Sequence, residues 1–270
     1  MMSKTIILAV APTGAWGKGH NNPTGADRIA EEVLGCAEAG VSLVHIHARD
    51  QDGNLTKDQS EFIEATELIR RESDIIIEVS TGGLSNMTAQ ERALPVRNPG
   101  VDTASLNVGS LNFLDDVYRN SVPDIKLWLR LMREANVKPC PEIFDSSNIT
   151  LAKHLIHEGL IQPQFNFNFV FNYQWGMEFS LGLLEVLEGM LGPQSIWGAV
   201  FGWSTDFSCH LQAALCGAAM IRVGFEDSRI CNNREAKSNI ELVKTIRKEL
   251  EVLGFRLATP TEARKTLDVE

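Results

Sequence analysis

Nowhere in the 270 residues does an apolar run approach the roughly 18 needed for a membrane-spanning helix. The opening Met1-Met2-Ser3-Lys4 leads into only a few apolar residues before Pro12, which does not fit a secretory signal. Cysteine is scarce: Cys36, Cys140, Cys209, Cys216 and Cys231 are odd in number, scattered and without a Cys-x-x-Cys. That pattern suits reduced thiols in a cytoplasm better than a disulfide framework or a zinc–thiolate site. Positive charge is also short, with 25 Lys and Arg against 35 Asp and Glu and a net charge of −10. Nucleic acid and anionic membrane are therefore poor partners. There is no internal repeat, low-complexity tract or linker-like shift in composition, so a single domain over 1–270 is expected.

What the chain does have is a regular alternation of short apolar runs and helical patterns. Strands are predicted over 5–11, 42–48, 74–80, 103–108, 137–144, 164–171, 195–202 and 220–225. Helical segments are predicted over 27–39, 58–71, 124–136, 149–158, 181–191, 207–215 and 234–253, with a short helix over 87–93 and a final packed helix in 255–270. Gly40 and Gly159 fall where left-handed C-terminal residues are expected, and Pro95, Pro123, Pro139 and Pro163 fall at or just before element starts. Eight strand–helix units favour a parallel sheet closed into a (β/α)8 TIM barrel. An open doubly wound sheet would need a glycine-rich phosphate turn after the first strand. Here Pro12-Thr13-Gly14-Ala15-Trp16-Gly17 runs on into a polar loop.

Strand side chains alternate faces, so His45 and His47 at the end of the second strand point the same way, within reach of one small ion. In barrel enzymes the site lies at the C-terminal ends of the strands. Those ends carry Ser80-Thr81-Gly82-Gly83, Ser105 and Asn107, Glu142, and Arg222 through Glu226 to Asp227. Arg222 and Glu226 are four residues apart, so a continuous strand would face both into the barrel mouth, with Asp227 at the loop edge. His45, His47 and Glu226 would then form a two-His, one-carboxylate set suited to Zn²⁺ as a Lewis acid or to Fe²⁺ as an oxygen-activating centre. Ser80 and the Thr81-Gly82-Gly83 turn offer hydroxyl and backbone donors for a carboxylate or phosphate. His154 and His157 are expected on a solvated helix face, His20 and His210 in structural roles, and the Phe-rich 165–171 with Met177 and Met190 in the core.

Five of these stretches, in order, resemble the β-keto acid cleavage enzymes, the family that includes 3-keto-5-aminohexanoate cleavage enzyme. They are Pro12-Thr13-Gly14-Ala15, Val44 to Asp50, Val79 to Gly83, Ser105 to Phe113 and Arg222 to Asp227, so the resemblance spans nearly the whole chain. It implies a TIM barrel with Zn²⁺ on His45, His47 and Glu226. It also implies a reaction that takes a β-keto acid and acetyl-CoA to acetoacetate and a new acyl-CoA. Asp227 matches the general base, Arg222 and Glu142 match groups that set its charge and orientation, and Ser80, Ser105 and Asn107 match positions that hold the substrate. A cytoplasmic homotetramer is implied as well. Rival readings are a metal-dependent lyase or aldolase working on a keto acid without CoA, and a non-catalytic barrel that binds a small acid.

The chain departs from the family pattern at three points. Trp16 stands where members with an amine-bearing substrate place a Glu, which favours an apolar or quaternary-ammonium tail. Ser105 replaces a more usual Thr and keeps the hydroxyl. The glycine-rich segment expected after the sixth strand reads Phe171-Asn172-Tyr173-Gln174-Trp175-Gly176, which places bulky rings at the substrate or CoA entrance.

Overall fold

The computed structural model describes residues 4–15, 17–83, 86–162, 166–192 and 195–269. In chain order these run through β1 (Lys4–Val10), α1 (Ala26–Glu38), β2 (Leu43–Ile46), α2 (Ser60–Glu72), β3 (Ile76–Ser80), α3 (Ala89–Arg92), a 3₁₀ turn (Leu94–Arg97) and β4 (Thr103–Asn107). A hairpin of β5 (Leu111–Phe113) and β6 (Asp116–Tyr118) follows, then α4 (Val122–Glu134), β7 (Lys138–Ile143), α5 (Ser146–His157), β8 (Asn166–Phe171), α6 (Leu181–Met190), β9 (Ile196–Phe201), α7 (Ser208–Leu215) and β10 (Met220–Val223). A second hairpin of β11 (Ile230–Cys231) and β12 (Arg234–Glu235), then α8 (Asn239–Val252), β13 (Phe255–Leu257) and α9 (Pro260–Leu267) complete the order.

The eight expected strands pair in parallel in the order β1-β2-β3-β4-β7-β8-β9-β10, and β10 returns to β1, which closes the barrel. Strand alternation divides the residues into two populations. Ile6, Leu8, Val10, Val44, Ile46, Ile77, Val79, Ala104, Leu106 and Phe169 belong to the large apolar layer that also takes in the helices. The intervening residues line the bore. At its lower end Ile7, Ala9, Leu43, Ile76 and Met220 pack with Ala263 and Leu267 of α9, so that helix plugs the barrel. Higher up, the register sets polar residues side by side: His45 beside Glu78, Ser80 beside Ser105, Asn107 beside Glu142, and Glu142 beside Asn168.

Three local features differ from the sequence expectation. The helix expected from residue 234 is preceded by the β11–β12 hairpin, because Asn232 and Asn233 (φ 51° and 58°) supply a left-handed turn of the kind that joins antiparallel strands. Phe255–Leu257 extends the sheet by pairing with the outer end of β1 before the final helix begins. The β5–β6 hairpin folds over the mouth after β4. Pro163, like Gln164 and Phe165 of the sixth predicted strand, lies outside the described residues. Among the described residues, no helix is long and apolar enough to cross a membrane.

Candidate active site

His45 lies on β2 and His47 one residue past its end, yet their rings meet edge to face with centroids 5.3 Å apart. Glu226 reaches them by a different route from the one expected. β10 ends at Val223, and Gly224 (φ 142°) bends the chain so closely over Ala11 that an added Cβ would lie 2.2 Å from the Ala11 carbonyl oxygen. The Glu226 N–H then donates to that same oxygen at 3.1 Å. This glycine turn, not strand alternation, aims the Glu226 carboxylate at the imidazoles, with Oε2 3.2 Å from His47 Nε2 and Oε1 3.6 Å from His45 Nε2.

Behind His45 stands Glu78, 1% exposed, with Oε1 2.8 Å from His45 Nδ1. A carboxylate only accepts, so Nδ1 carries the hydrogen and Nε2 presents its lone pair to the site, the arrangement typical of metal-ligating histidines. One ligand atom each from His45, His47 and Glu226 can be chosen so that all lie within 4.8 Å of one another. This donor set fits a divalent ion with open positions, and the local charge fits it too. The carboxylates of Glu78, Glu142, Glu226 and Asp227 gather here around the guanidiniums of Arg49 and Arg222, four acids to two bases within this group.

Arg222 is 3% exposed and grips Asp227 with two bonds, Nε to Oδ2 at 3.0 Å and Nη2 to Oδ1 at 2.6 Å. Its remaining reach goes to Glu142 Oε1 and Glu226 Oε1, each at 3.4 Å. Burial alone would discharge the guanidinium, but Asp227, Glu226 and Glu142 overrule it and hold Arg222 firmly charged. Burial pushes Asp227 and Glu142 above the usual carboxylate range, with Arg222 opposing in both cases. Glu226 moves the other way: against its burial, His47, His45 and Arg222 hold it well below that range. Burial lowers His47 to about 4, while at His45 the Glu226 and Glu78 carboxylates outweigh burial and raise it.

A cavity of about 840 Å³ opens above this floor and is bordered by His45, His47, Ser80, Asn107, Glu142, Arg222 and Glu226. Five other predicted residues stand outside that lining or outside description. Thr81 spends its hydroxyl on the Ser105 carbonyl at 2.7 Å, and Ser105 is fully buried with its Oγ 3.5 Å from Ser80 Oγ. Asp227, 2% exposed, is not at the loop edge but sealed behind Arg222. Trp16 lies outside the described residues. Gly82 donates its N–H to Ser80 Oγ at 3.1 Å and so shapes the turn beneath the cavity.

The sequence reading does not reach several residues that border or support the site. Glu78 shares strand parity with Ser80, and that periodicity is the signal for it. Arg49 borders the cavity at 6% exposure, with Nη1 on the Gly53 carbonyl at 2.8 Å. Phe113, Tyr118, Phe144 and Tyr173 also line the cavity, with Arg49, Asn54, Thr56 and Lys57; Tyr173 is one of the bulky rings expected at the entrance, whereas the hairpin that carries Phe113 and Tyr118 has no short-range signature. His154 and His20 are exposed, paired with Glu158 and Glu235 respectively.

A closed parallel barrel with polar chemistry gathered at the C-terminal ends of its strands defines a barrel enzyme with a candidate metal centre. The chain belongs to the beta-keto acid cleavage enzyme family, whose model matches residues 5–269. It is 35% identical over 276 residues to 3-keto-5-aminohexanoate cleavage enzyme of Fusobacterium nucleatum, with all of both chains covered. It is 31% identical to 3-oxoadipate:acetyl-CoA acetyltransferase of Cupriavidus necator, over 98% of this chain and 95% of that one. In fold it resembles the solved ternary complex of ObcA with C4-CoA adduct and oxalate, with a TM-score of 0.75 at 17% identity over 92% of this chain and 67% of that one.

Proposed function

We propose that the protein is a Zn²⁺-dependent β-keto acid cleavage enzyme that uses acetyl-CoA and returns acetoacetate and a new acyl-CoA. The observation that carries this is the convergence of His45, His47 and Glu226 on one point of the cavity floor, next to the Arg222–Asp227 pair. The acetyl-CoA acetyltransferase named among the relatives supports the co-substrate. His45, His47 and Glu226 would hold the ion, which when bound supplies Lewis-acid polarisation of the keto oxygen.

Asp227 takes the proton from C2 of the keto acid, and Arg222 stabilises the carboxylate before the transfer and orients it throughout. Glu142, beside Arg222, balances that guanidinium. Ser80 and Asn107 hold the substrate carboxylate at the cavity wall, while Thr81, Gly82 and Ser105 set the shape of that wall. The C2 carbanion attacks the acetyl thioester and expels CoA as thiolate. The thiolate then adds at the original keto carbon, the C2–C3 bond breaks to release the acyl-CoA, and C2 takes back the proton held by Asp227 to give acetoacetate. Each carbon–carbon or carbon–sulfur bond formed is matched by one broken, so no oxidant or reductant is needed.

A homotetramer in the cytoplasm completes the proposal; the exposed Val252 and Leu253 along one outer groove support association of copies. The test is a panel of β-keto acids with and without acetyl-CoA, assayed for acetoacetate alongside the metal content of the purified protein. Near one equivalent of zinc and acetoacetate release only with acetyl-CoA are expected. Cleavage without acetyl-CoA, or full turnover by His45→Ala with its metal content unchanged, would overturn the reading.

A further inference from the structure

The loop 172–176, where this chain departs most from the family pattern, has no role in the scheme above. Its backbone is held in an unusual form: Asn172 and Trp175 are in the left-handed region at φ 63° and 69° without being glycine. Four hydrogen bonds fix it there: Asn172 N to Met177 O at 2.8 Å, Phe179 N to Asn172 Oδ1 at 2.9 Å, Gly176 N to Tyr173 O at 2.9 Å, and Trp175 Nε1 to Leu114 O at 2.9 Å. Conformations of this kind persist where the surroundings over-determine them, and they gather at functional sites.

What the loop delivers is Tyr173. Its ring lies against Phe113 and Phe144, with centroids 5.6 and 6.2 Å away. Across from it is Gly202, where an added Cβ would come within 2.8 Å of the ring. The phenol donates to Asp227 Oδ1 at 2.7 Å. Asp227 itself does not border the cavity; Arg222 and Tyr173 do, and both are its hydrogen-bond donors.

A carboxylate offers about four lone-pair sites. Among the described residues, Asp227 Oδ1 accepts from Arg222 Nη2 and from Tyr173, while Oδ2 accepts from Arg222 Nε alone. Arg222 gives each oxygen one donor, the closer one on Oδ1. The phenol adds a second donor to Oδ1. We propose that Tyr173 is a positioning residue whose hydroxyl saturates Asp227 Oδ1 and leaves Oδ2 as the oxygen that takes up the substrate proton. This rests on the reading of Asp227 as the base. A ring that only filled space beside Phe113 and Phe144 would not need its hydroxyl, so the proposal turns on one oxygen atom.

The test is a double-mutant cycle of Tyr173→Phe and Asp227→Asn on the purified, metal-loaded enzyme, with kcat and KM measured separately for a turned-over β-keto acid. Exchange of the C2 hydrogen with D₂O without acetyl-CoA reads the proton step alone. Tyr173→Phe keeps the ring and is expected to lower kcat and the exchange rate together by about 10- to 100-fold, with KM within about twofold, as for an interaction realised only in the transition state. Asp227→Asn is expected to lose roughly 1,000-fold or more, with the double variant no worse, because groups acting as a unit are not additive. Unchanged kcat and exchange in Tyr173→Phe, or additive losses in the double variant, overturn the role of Tyr173 while leaving Asp227 as base. Full turnover by Asp227→Asn overturns both.

Discussion

Two charge clusters sit at opposite ends of the barrel with inverted composition. At the floor one carboxylate stands between two arginines: Asp102, just before β4, accepts from Arg70 of α2, from Arg264 of α9 at 2.9 and 3.2 Å, and from the Ile77 N–H at 2.8 Å. At the mouth one arginine, Arg222, stands among Asp227, Glu142 and Glu226, with Glu78 behind His45. The floor cluster is part-exposed and its carboxylate is fully answered, so it ties two helices to the sheet and asks for nothing more. The mouth cluster is more deeply buried and over-supplied with anions, a costly arrangement unless a cation or a reaction makes use of it. Both ends hold ion pairs. Only the imbalance marks the one where chemistry is expected.

Acid should strike the mouth side hardest. His210 is buried behind Arg222 against Phe201 and Phe207, and burial lowers it to about 4 from an ordinary 6.5. Its folded pKa is depressed, so between those values the unfolded chain binds the extra proton and stability falls as the pH falls. The full loss is about 3 kcal/mol, of which roughly 2 appears between pH 7 and pH 5. Urea unfolding of wild type and His210→Gln at both pH values checks this: the variant should lose less on acidification, and equal losses would remove His210 from the account. At the floor, Asp102→Asn should cost about 2 kcal/mol in the same assay, a figure reduced for partial exposure, with kcat per folded molecule unchanged. A fall in kcat there would erase the distinction between the two ends.

How much of this is legible in the chain itself divides along physical lines. Eight strands and the barrel follow from short apolar runs spaced by helical patterns, because burying a parallel sheet on both faces imposes that pattern directly. His45 and His47 follow from the two-residue strand period. Glu226 is identifiable, but its placement depends on Gly224 folding against Ala11, a contact between opposite ends of the sequence. Glu78 carries a local signal, since it alternates with Ser80 on an otherwise apolar strand. Tyr173 is legible as a bulky ring at the entrance, but not as a partner of Asp227. Its reach to Asp227 depends on a loop whose shape is fixed by Leu114, Met177 and Phe179, and on the space left at Gly202. Strand ends are local and readable, whereas what a loop brings over them is set by long-range packing.

The smallest predicted effect separates the two ends by sign. Glu142 is 6% exposed, burial raises it above its ordinary 4.5, and the guanidinium it pairs with, Arg222 at 3.4 Å, is already held more closely by Asp227. For a carboxylate with a raised folded pKa, the charged form is the disfavoured one, so its cost to stability grows as the pH rises above 4.5. Glu142→Gln removes that charge while keeping a carbonyl oxygen for Arg222. In chelator-treated protein at pH 7 the variant should therefore be more stable by about 1 kcal/mol, opposite in sign to Asp102→Asn. At pH 4, where the native carboxyl is already protonated, the gain should vanish, and catalytic turnover should fall at every pH because Arg222 loses one of the three carboxylates that hold and orient it. A destabilised Glu142→Gln would mean that the mouth, like the floor, is held together by its carboxylates. A stabilised one would mean that the fold tolerates Glu142 for the sake of the reaction.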